Sequence, residues 1–287
     1  MSEIEVEGVR LTSPDKILYP EQGITKGELA AYYQAIAPWM LPHVARRPVT
    51  MVRCPVGHEK KCFYQRHAGS GVLPQLKEVT IPGFDEPYLY LDDVAGLVAM
   101  VQMGTLEIHP WGVTLDVLDR PDRVIFDLDP DESLTFADVI AAALEVRQRL
   151  TDLGLTSFVK TTGGKGLHVV LPIEPVTPWP EVKAWAKKVS GEMAADAPER
   201  YLTKMSKAER AGRIFIDYLR NDPTSTAVAP YSTRSRPGAP VAMPVEWGEL
   251  KEGLDPKAFT ICTAPDRART VADPWAEIGQ VKQRLPI

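Results

Sequence analysis

The sequence predicts a mixed α+β fold with mixed or antiparallel sheets and flanking helices. Helical and strand-like patterns are interspersed along its 287 residues without the regular alternation of a doubly wound sheet. Two apolar runs, residues 123–130 and 213–218, each deliver acidic residues near their ends. There is no internal repeat and no long linker, and 26 prolines, many after residue 170, imply an ordered but loop-rich C-terminal third. One domain over 1–287 is expected, with subdomains over about 1–110 and about 111–287 sharing a central cleft.

In chain order, residues 11–20 (LTSPDKILYP) set Asp-Lys between prolines and read as an ordered loop. Thr25 and Glu28 form a capping box for a helix from 26 to about 40, with Leu29, Tyr32, Tyr33 and Ile36 at helical spacing. Strands are predicted at 49–53, 62–66 and 79–82, with a turn around Gly57. Residues 83–87 form a loop, 88–91 an apolar run, and Asp92 caps a helix over 94–103. Residues 106–109 alternate as a short strand. The spacing predicts a helix over 135–153 ending at Gly154, strands at 157–161 and 167–171 around a glycine turn, and a helix over 179–193.

Composition narrows the class. No apolar run approaches the roughly 20 residues that span a bilayer, and the acidic, polar N-terminus is no signal peptide. Three cysteines, Cys54, Cys62 and Cys262, cannot pair completely and suggest a reducing cytoplasm. The net charge is −5, unevenly spread. Residues 71–158 hold five Lys/Arg against sixteen Asp/Glu, whereas 200–236 hold eight basic and three acidic residues. An acidic middle with basic flanks fits a metal site bordered by phosphate-receiving surfaces.

Four stretches carry chemistry. In Arg123–Pro130, Asp127 and Asp129 lie two residues apart on a strand and share one face, while Phe126 and Leu128 pack on the other. Two such carboxylates repel unless a cation lies between them, and Mg²⁺ or Mn²⁺ suit oxygen ligands. Asp217, at the end of a second apolar strand, completes a triad able to hold two ions. Residues 160–170 (KTTGGKGLHVV) place Thr162, Lys165 and His168 around adjacent glycines, donors suited to a triphosphate, although GxxxxGK[ST] is absent. Arg234 offers a fork of donors for phosphate, and His109 precedes Pro110-Trp111.

Cys54, His58, Cys62 and His67 imitate a zinc set, but lack Cys-x₂-Cys and His-x₃₋₅-His spacing. Phe63 and Tyr64, between Lys60-Lys61 and Arg66, suit base stacking beside a phosphate backbone, with one of the two expected in the core.

Together LTSPDKILYP, MGTLEIHPWG, FDLDP, KTTGGKGLH, RIFIDYLRN and TAVAPYSTRSRPGAPVAMP resemble the polymerase domain of bacterial ATP-dependent DNA ligase D, of the archaeo-eukaryotic primase superfamily. The resemblance covers essentially the whole chain. It implies a primase-like core with an RRM-like catalytic subdomain, and addition of nucleotides, ribonucleotides preferred, to primer 3′ ends at gaps and breaks in non-homologous end joining. By the same resemblance Asp127, Asp129 and Asp217 hold two Mn²⁺ or Mg²⁺ ions. Thr162 (where the family usually has serine), Lys165, His168, Arg234 and His109 surround the incoming NTP or dNTP. Lys16 and Lys26 grip a downstream 5′-phosphate, Phe63 and Tyr64 lie near the template, and Arg53 lies near the substrates. Residues 83–92 match a mobile loop that helps bring DNA ends together. Implied partners are gapped or broken DNA, with Ku and the ligase and nuclease domains, in a bacterial, nucleoid-associated setting.

Two rival readings differ in class. A haloacid-dehalogenase-like phosphatase also uses an apolar DxD stretch, but expects Thr or Val two residues beyond the second acid, where this chain has Asp131. A non-catalytic DNA-end-binding module would bind without incorporating nucleotides.

Overall fold

A computed structural model of the chain describes residues 2–69, 71–251 and 253–287. It is an α+β structure that divides into two compact units. The first comprises Met1–Trp111, Val228–Met243 and Lys257–Ala272; the second comprises Gly112–Ala227, Pro244–Pro256 and Asp273–Ile287.

In the first unit, β1 (Glu3–Val6) and β2 (Val9–Thr12) form a hairpin, turned by Glu7 and Gly8 at φ 50° and 71°. A second small pair joins β3 (Ile17–Tyr19) to β4 (Ile24–Thr25). The 11–20 stretch therefore contains strand residues rather than loop alone. Runs of three or four residues show no periodicity until a partner strand defines them. The helix α1 (Lys26–Val44) has the expected capping box: Thr25 N donates to Glu28 Oε2 at 2.7 Å, and Glu28 N to Thr25 Oγ1 at 3.2 Å. It runs past residue 40 because His43 and Val44 still bury on its inner face, despite Pro42.

The main sheet of this unit orders β6 (Phe63–Gln65), β5 (Val49–Arg53), β8 (Tyr88–Tyr90) and β7 (Lys77–Val79), with β9 (Thr105–Pro110) also on β5. β7 lies earlier than expected, since Ile81 to Phe84 closes a turn. The cap of α2 (Val94–Gln102) is Asp93, which accepts from Gly96 N at 3.1 Å; Asp92 is drawn to Lys77 instead. Cys54 and Cys62 are joined in a disulfide, against the expectation of reduced cysteines, because the turn at Gly57 brings their Cα atoms to 4.4 Å. Neither therefore offers a thiolate to zinc.

The second unit is a six-stranded sheet in the order β13 (Tyr201–Leu202), β14 (Ile214–Asp217), β10 (Arg123–Pro130), β12 (Leu167–Pro172), β11 (Phe158–Thr161) and β15 (Pro244–Val245). Only β13 and β14 run parallel. Helices α3 (Phe136–Asp152) and α4 (Trp179–Asp196) pack on it. Thr135 and Asp138 cap α3, and Gly154 at φ 74° ends its turn. Val124, Phe126 and Leu128 are fully buried, and Phe126 meets Trp185 of α4 edge-on at 6.2 Å. Each apolar side chain this large contributes about 1.5–3 kcal/mol by leaving water, so the alternation holds β10 face-down. The opposite face carries Asp127 and Asp129. In the first unit, α5 (Ala264–Thr270) contacts α1. Among the described residues no helix is long and apolar enough to cross a membrane.

Candidate active site

The centre of the site is one row across four adjacent strands. Asp217 of β14 pairs with Asp127 of β10, Asp127 with His168 of β12, and His168 with Lys160 of β11. Directly opposed residues of antiparallel strands point to the same face, so acid, acid, imidazole and amine stand side by side. Asp129, two residues along β10, shares that face.

Their charges are mutually arranged. Arg220 Nε lies 3.2 Å from both Asp127 Oδ2 and Asp217 Oδ2, a guanidinium standing between two carboxylates. Its placement follows from Asn221, whose amide bonds Ile125 N and O at 2.8 Å each and so continues the strand ladder where β14 has ended. Burial works against ionisation of Asp127, but His168, Arg220 and Lys160 outweigh it and hold its carboxyl well below the usual range. Asp217 goes the other way: burial raises it, with Arg220 opposing and the neighbouring acids adding to the rise. His168 is brought down to about 4 by burial and by Lys160, so its ring is neutral at pH 7. Its Nε2 lies 3.4 Å from Asp127 Oδ1, and Nδ1 is buried without a hydrogen-bond partner.

Asp129 turns to Arg210, whose Nη1 lies 2.6 Å from Oδ2 while the guanidinium covers the Phe215 ring. The acids thus already attract cations at both ends. A site whose carboxylates recruit two guanidinium groups fits divalent ions in chemistry and in charge.

The glycine turn lies at the end of the same sheet. Thr162 N and Oγ1 both donate to Gly166 O at 3.1 Å, closing the turn, while Lys165 is exposed at its tip. Gly166 is required by contact: a Cβ there would lie 2.5 Å from the Leu128 carbonyl oxygen. The turn is thereby pressed against the strand that carries both aspartates.

The first unit gathers His109 and Arg234 through a residue the motifs did not single out. Glu107, buried on β9, lies 2.8 Å from His109 Nε2 and 3.0 Å from Arg234 Nε, and accepts from Ser235 N and Oγ at 2.9 and 2.7 Å. Burial alone would raise its carboxyl, but His109 and Arg234 hold it far below the ordinary value. Its position two residues before His109 on an alternating strand was a usable signal. Lys160, at the start of the glycine-turn motif, is 2% exposed and stands opposite His168. Arg220 stands in RIFIDYLRN three residues after Asp217, whereas Arg210 carries no sequence signal beyond a basic stretch.

Among the expected nucleic-acid contacts, Lys26 is buried and donates to Thr12 O and Gln102 Oε1 at 3.0 and 2.6 Å. Burial and neighbouring Lys16 bring it down to about 8. A backbone bond from Lys26 N to Lys16 O, 2.8 Å, keeps exposed Lys16 beside it. Arg53 is committed internally, to Met103 O and Gln65 Oε1, and covers the Phe63 ring at 5.3 Å. Phe63 and Tyr64 are 41% and 72% exposed on an edge strand, so neither enters the core. Of residues 83–92, Tyr88–Tyr90 is strand β8, and Phe84 packs edge-on against Tyr88 and Trp111.

The family model for the LigD primase-polymerase domain matches residues 25–275. The multifunctional non-homologous end joining protein LigD of Pseudomonas aeruginosa is 38% identical over 283 residues, covering 97% of this chain and 34% of that protein. Its Mycolicibacterium smegmatis counterpart is 36% identical over 251 residues, covering 86% and 33%. The chain thus spans about a third of the length of these relatives. Among solved structures, the polymerase domain of Mycobacterium tuberculosis ligase D in complex with DNA superimposes with a TM-score of 0.88 at 30% identity, over 95% of this chain and 98% of that one.

Proposed function

The chain belongs to the LigD primase-polymerase domain family, and from that premise we propose that it is a template-dependent nucleotidyltransferase acting in non-homologous end joining. Its substrates are a primer 3′ end on gapped or broken DNA and a nucleoside triphosphate, with ribonucleotides preferred. The observation that carries this reading is the row Asp217–Asp127–His168–Lys160, with Asp129 beside it.

Asp127, Asp129 and Asp217 are the residues that would hold two divalent ions, Mn²⁺ or Mg²⁺. When bound, such ions acidify an attacking hydroxyl and neutralise a triphosphate and its leaving pyrophosphate. The chain's own groups do the rest. Buried Lys160 supplies fixed positive charge next to His168. His168, neutral at pH 7, is a hydrogen-bonding group rather than a cation, and its buried Nδ1 has no partner within the protein. Lys165 at the turn tip is free to reach phosphate oxygens, whereas Thr162 Oγ1 is engaged with Gly166 O and can offer substrate its remaining lone pairs. In the first unit, Glu107 holds His109 and Arg234 in orientation for the nucleotide. Lys16 and Lys26 are assigned to a 5′-phosphate, Phe63 and Tyr64 to stacking on bases. Ku and the ligase and nuclease domains are the partners this role implies.

Primer extension on gapped DNA bearing a 5′-phosphate tests the proposal. Ribonucleotides are compared with deoxyribonucleotides, and Mn²⁺ with Mg²⁺. Incorporation by the wild-type chain and none by Asp127→Asn is expected. DNA binding without incorporation under every metal would overturn the enzymatic reading.

A further inference from the structure

We propose that Glu21, His58 and Glu59 form a second divalent-metal site, of zinc type, in the first unit and separate from the catalytic carboxylates. Their three donor atoms lie within 4.8 Å of one another, the one such group among the described residues. Exposed acids alone would mean little, but His58 is different. Its side chain is only 4% exposed, and its Nε2 is buried with no hydrogen-bond partner. A buried polar atom left unsatisfied costs about 1–3 kcal/mol, so such an atom is a standing invitation to a ligand.

The ring has little freedom to escape. Its backbone N donates to Leu18 O at 3.0 Å, and it stacks on Tyr19 with centroids 5.2 Å apart and planes 28° from parallel. Gly57, at φ 96°, lies so close to Leu18 that a Cβ would stand 3.1 Å from its carbonyl oxygen. The Cys54–Cys62 disulfide closes the turn that carries the ring. Glu21 is also tethered, since its Oε2 accepts from Gly238 N at 3.3 Å.

The distance between the His58 and Glu21 donors decides what they can share. His58 Nε2 and Glu21 Oε2 are 3.8 Å apart, too far for a hydrogen bond. That separation suits two bonds of about 2.0–2.2 Å to one ion between them. An imidazole with two carboxylates is a borderline donor set suited to Zn²⁺, with a coordination position left for water. Bound there, the ion would tie the β3–β4 connection to the 54–62 turn.

The test uses the full chain, without thiol reductant, carrying Asp127→Asn and Asp217→Asn so that the catalytic acids do not contribute. Zn²⁺ is titrated by calorimetry and against a chromophoric chelator, with thermal unfolding in parallel. One equivalent of bound Zn²⁺ and a raised Tm are expected. Loss of a group that merely hydrogen-bonds a metal ligand weakens metal sites by about 10–100-fold, so removing a ligand itself in His58→Asn should weaken this one at least as much. Glu21→Gln with Glu59→Gln, at exposed positions, should do the same without unfolding the chain. Alkylation of thiols should leave binding unchanged. Absence of the equivalent in the parent, its survival in either ligand variant, or its loss on alkylation would overturn the proposal.

Discussion

Asp127 and Asp217 face each other across neighbouring strands, and the same Arg220 nitrogen lies 3.2 Å from a carboxylate oxygen of each. The guanidinium occupies the place where two repelling acids need positive charge. On the proposed reading, a divalent ion held by the two acids would take over that task from Arg220.

Arg220→Gln should therefore bind Mn²⁺ more tightly while folding less stably in metal-free buffer. Removing one member of a largely buried ion pair costs several kcal/mol; with Arg220 40% exposed, about 1–3 kcal/mol is expected. Denaturant unfolding with and without Mn²⁺, and paramagnetic titration of the ion, read both quantities. Unchanged Mn²⁺ affinity would mean that Arg220 and the ion do not compete.

Asp217→Asn separates catalysis from stability. Burial raises the Asp217 carboxyl, so its ionised form is disfavoured in the folded chain. Stability from this group is present at low pH and declines as pH rises through the raised value. The amide keeps the bond from Leu219 N, removes the penalty, and should change stability at pH 7 by no more than about 1 kcal/mol. Primer extension should nonetheless disappear, and residual extension above background would remove Asp217 from the triad.

His168 predicts acid sensitivity. Its pKa falls to about 4 on folding from an ordinary value of about 6.5, so the unfolded chain binds the extra proton between these values. The stability it contributes is complete above pH 6.5 and is lost as pH falls toward 4, by roughly 2–3 kcal/mol. Unfolding at pH 7 and pH 4.5 should show that difference in the wild type and a smaller one in His168→Gln.

Lys26, brought down to about 8, should make 5′-phosphate recognition pH-dependent in the range where phosphate is fully ionised. The preference for 5′-phosphorylated over 5′-hydroxyl gapped DNA should be strong at pH 7 and decline as pH rises above 8. Fluorescence anisotropy across pH 7–9 measures it. A flat ratio would exclude Lys26 as a phosphate ligand.

Glu107→Gln should act as the loss of a positioning residue. The neutral amide leaves His109 and Arg234 without their shared counter-ion in a buried site, at a stability cost of about 2–4 kcal/mol. KM for the nucleotide should rise more than kcat falls, and Glu107→Asp should recover part of the loss.

The local sequence determined whatever depended on neighbours a few residues apart. The capping boxes at Thr25 and Thr135, the turn at Gly163–Gly166 and the shared face of Asp127 and Asp129 follow from helical and strand periods. So does the burial of Phe126 and Leu128 beneath them. Tertiary structure decided what depends on strand register and chain return. It aligned Asp217, Asp127, His168 and Lys160, residues separated by as much as 90 positions in sequence, because antiparallel pairing places opposed residues on one face. It brought Arg234 back to Glu107, set Arg220 between two acids, and joined Cys54 to Cys62. The acids are written in the sequence; which cations neutralise them is not, because charge pairing is set by distances in space that no local period encodes.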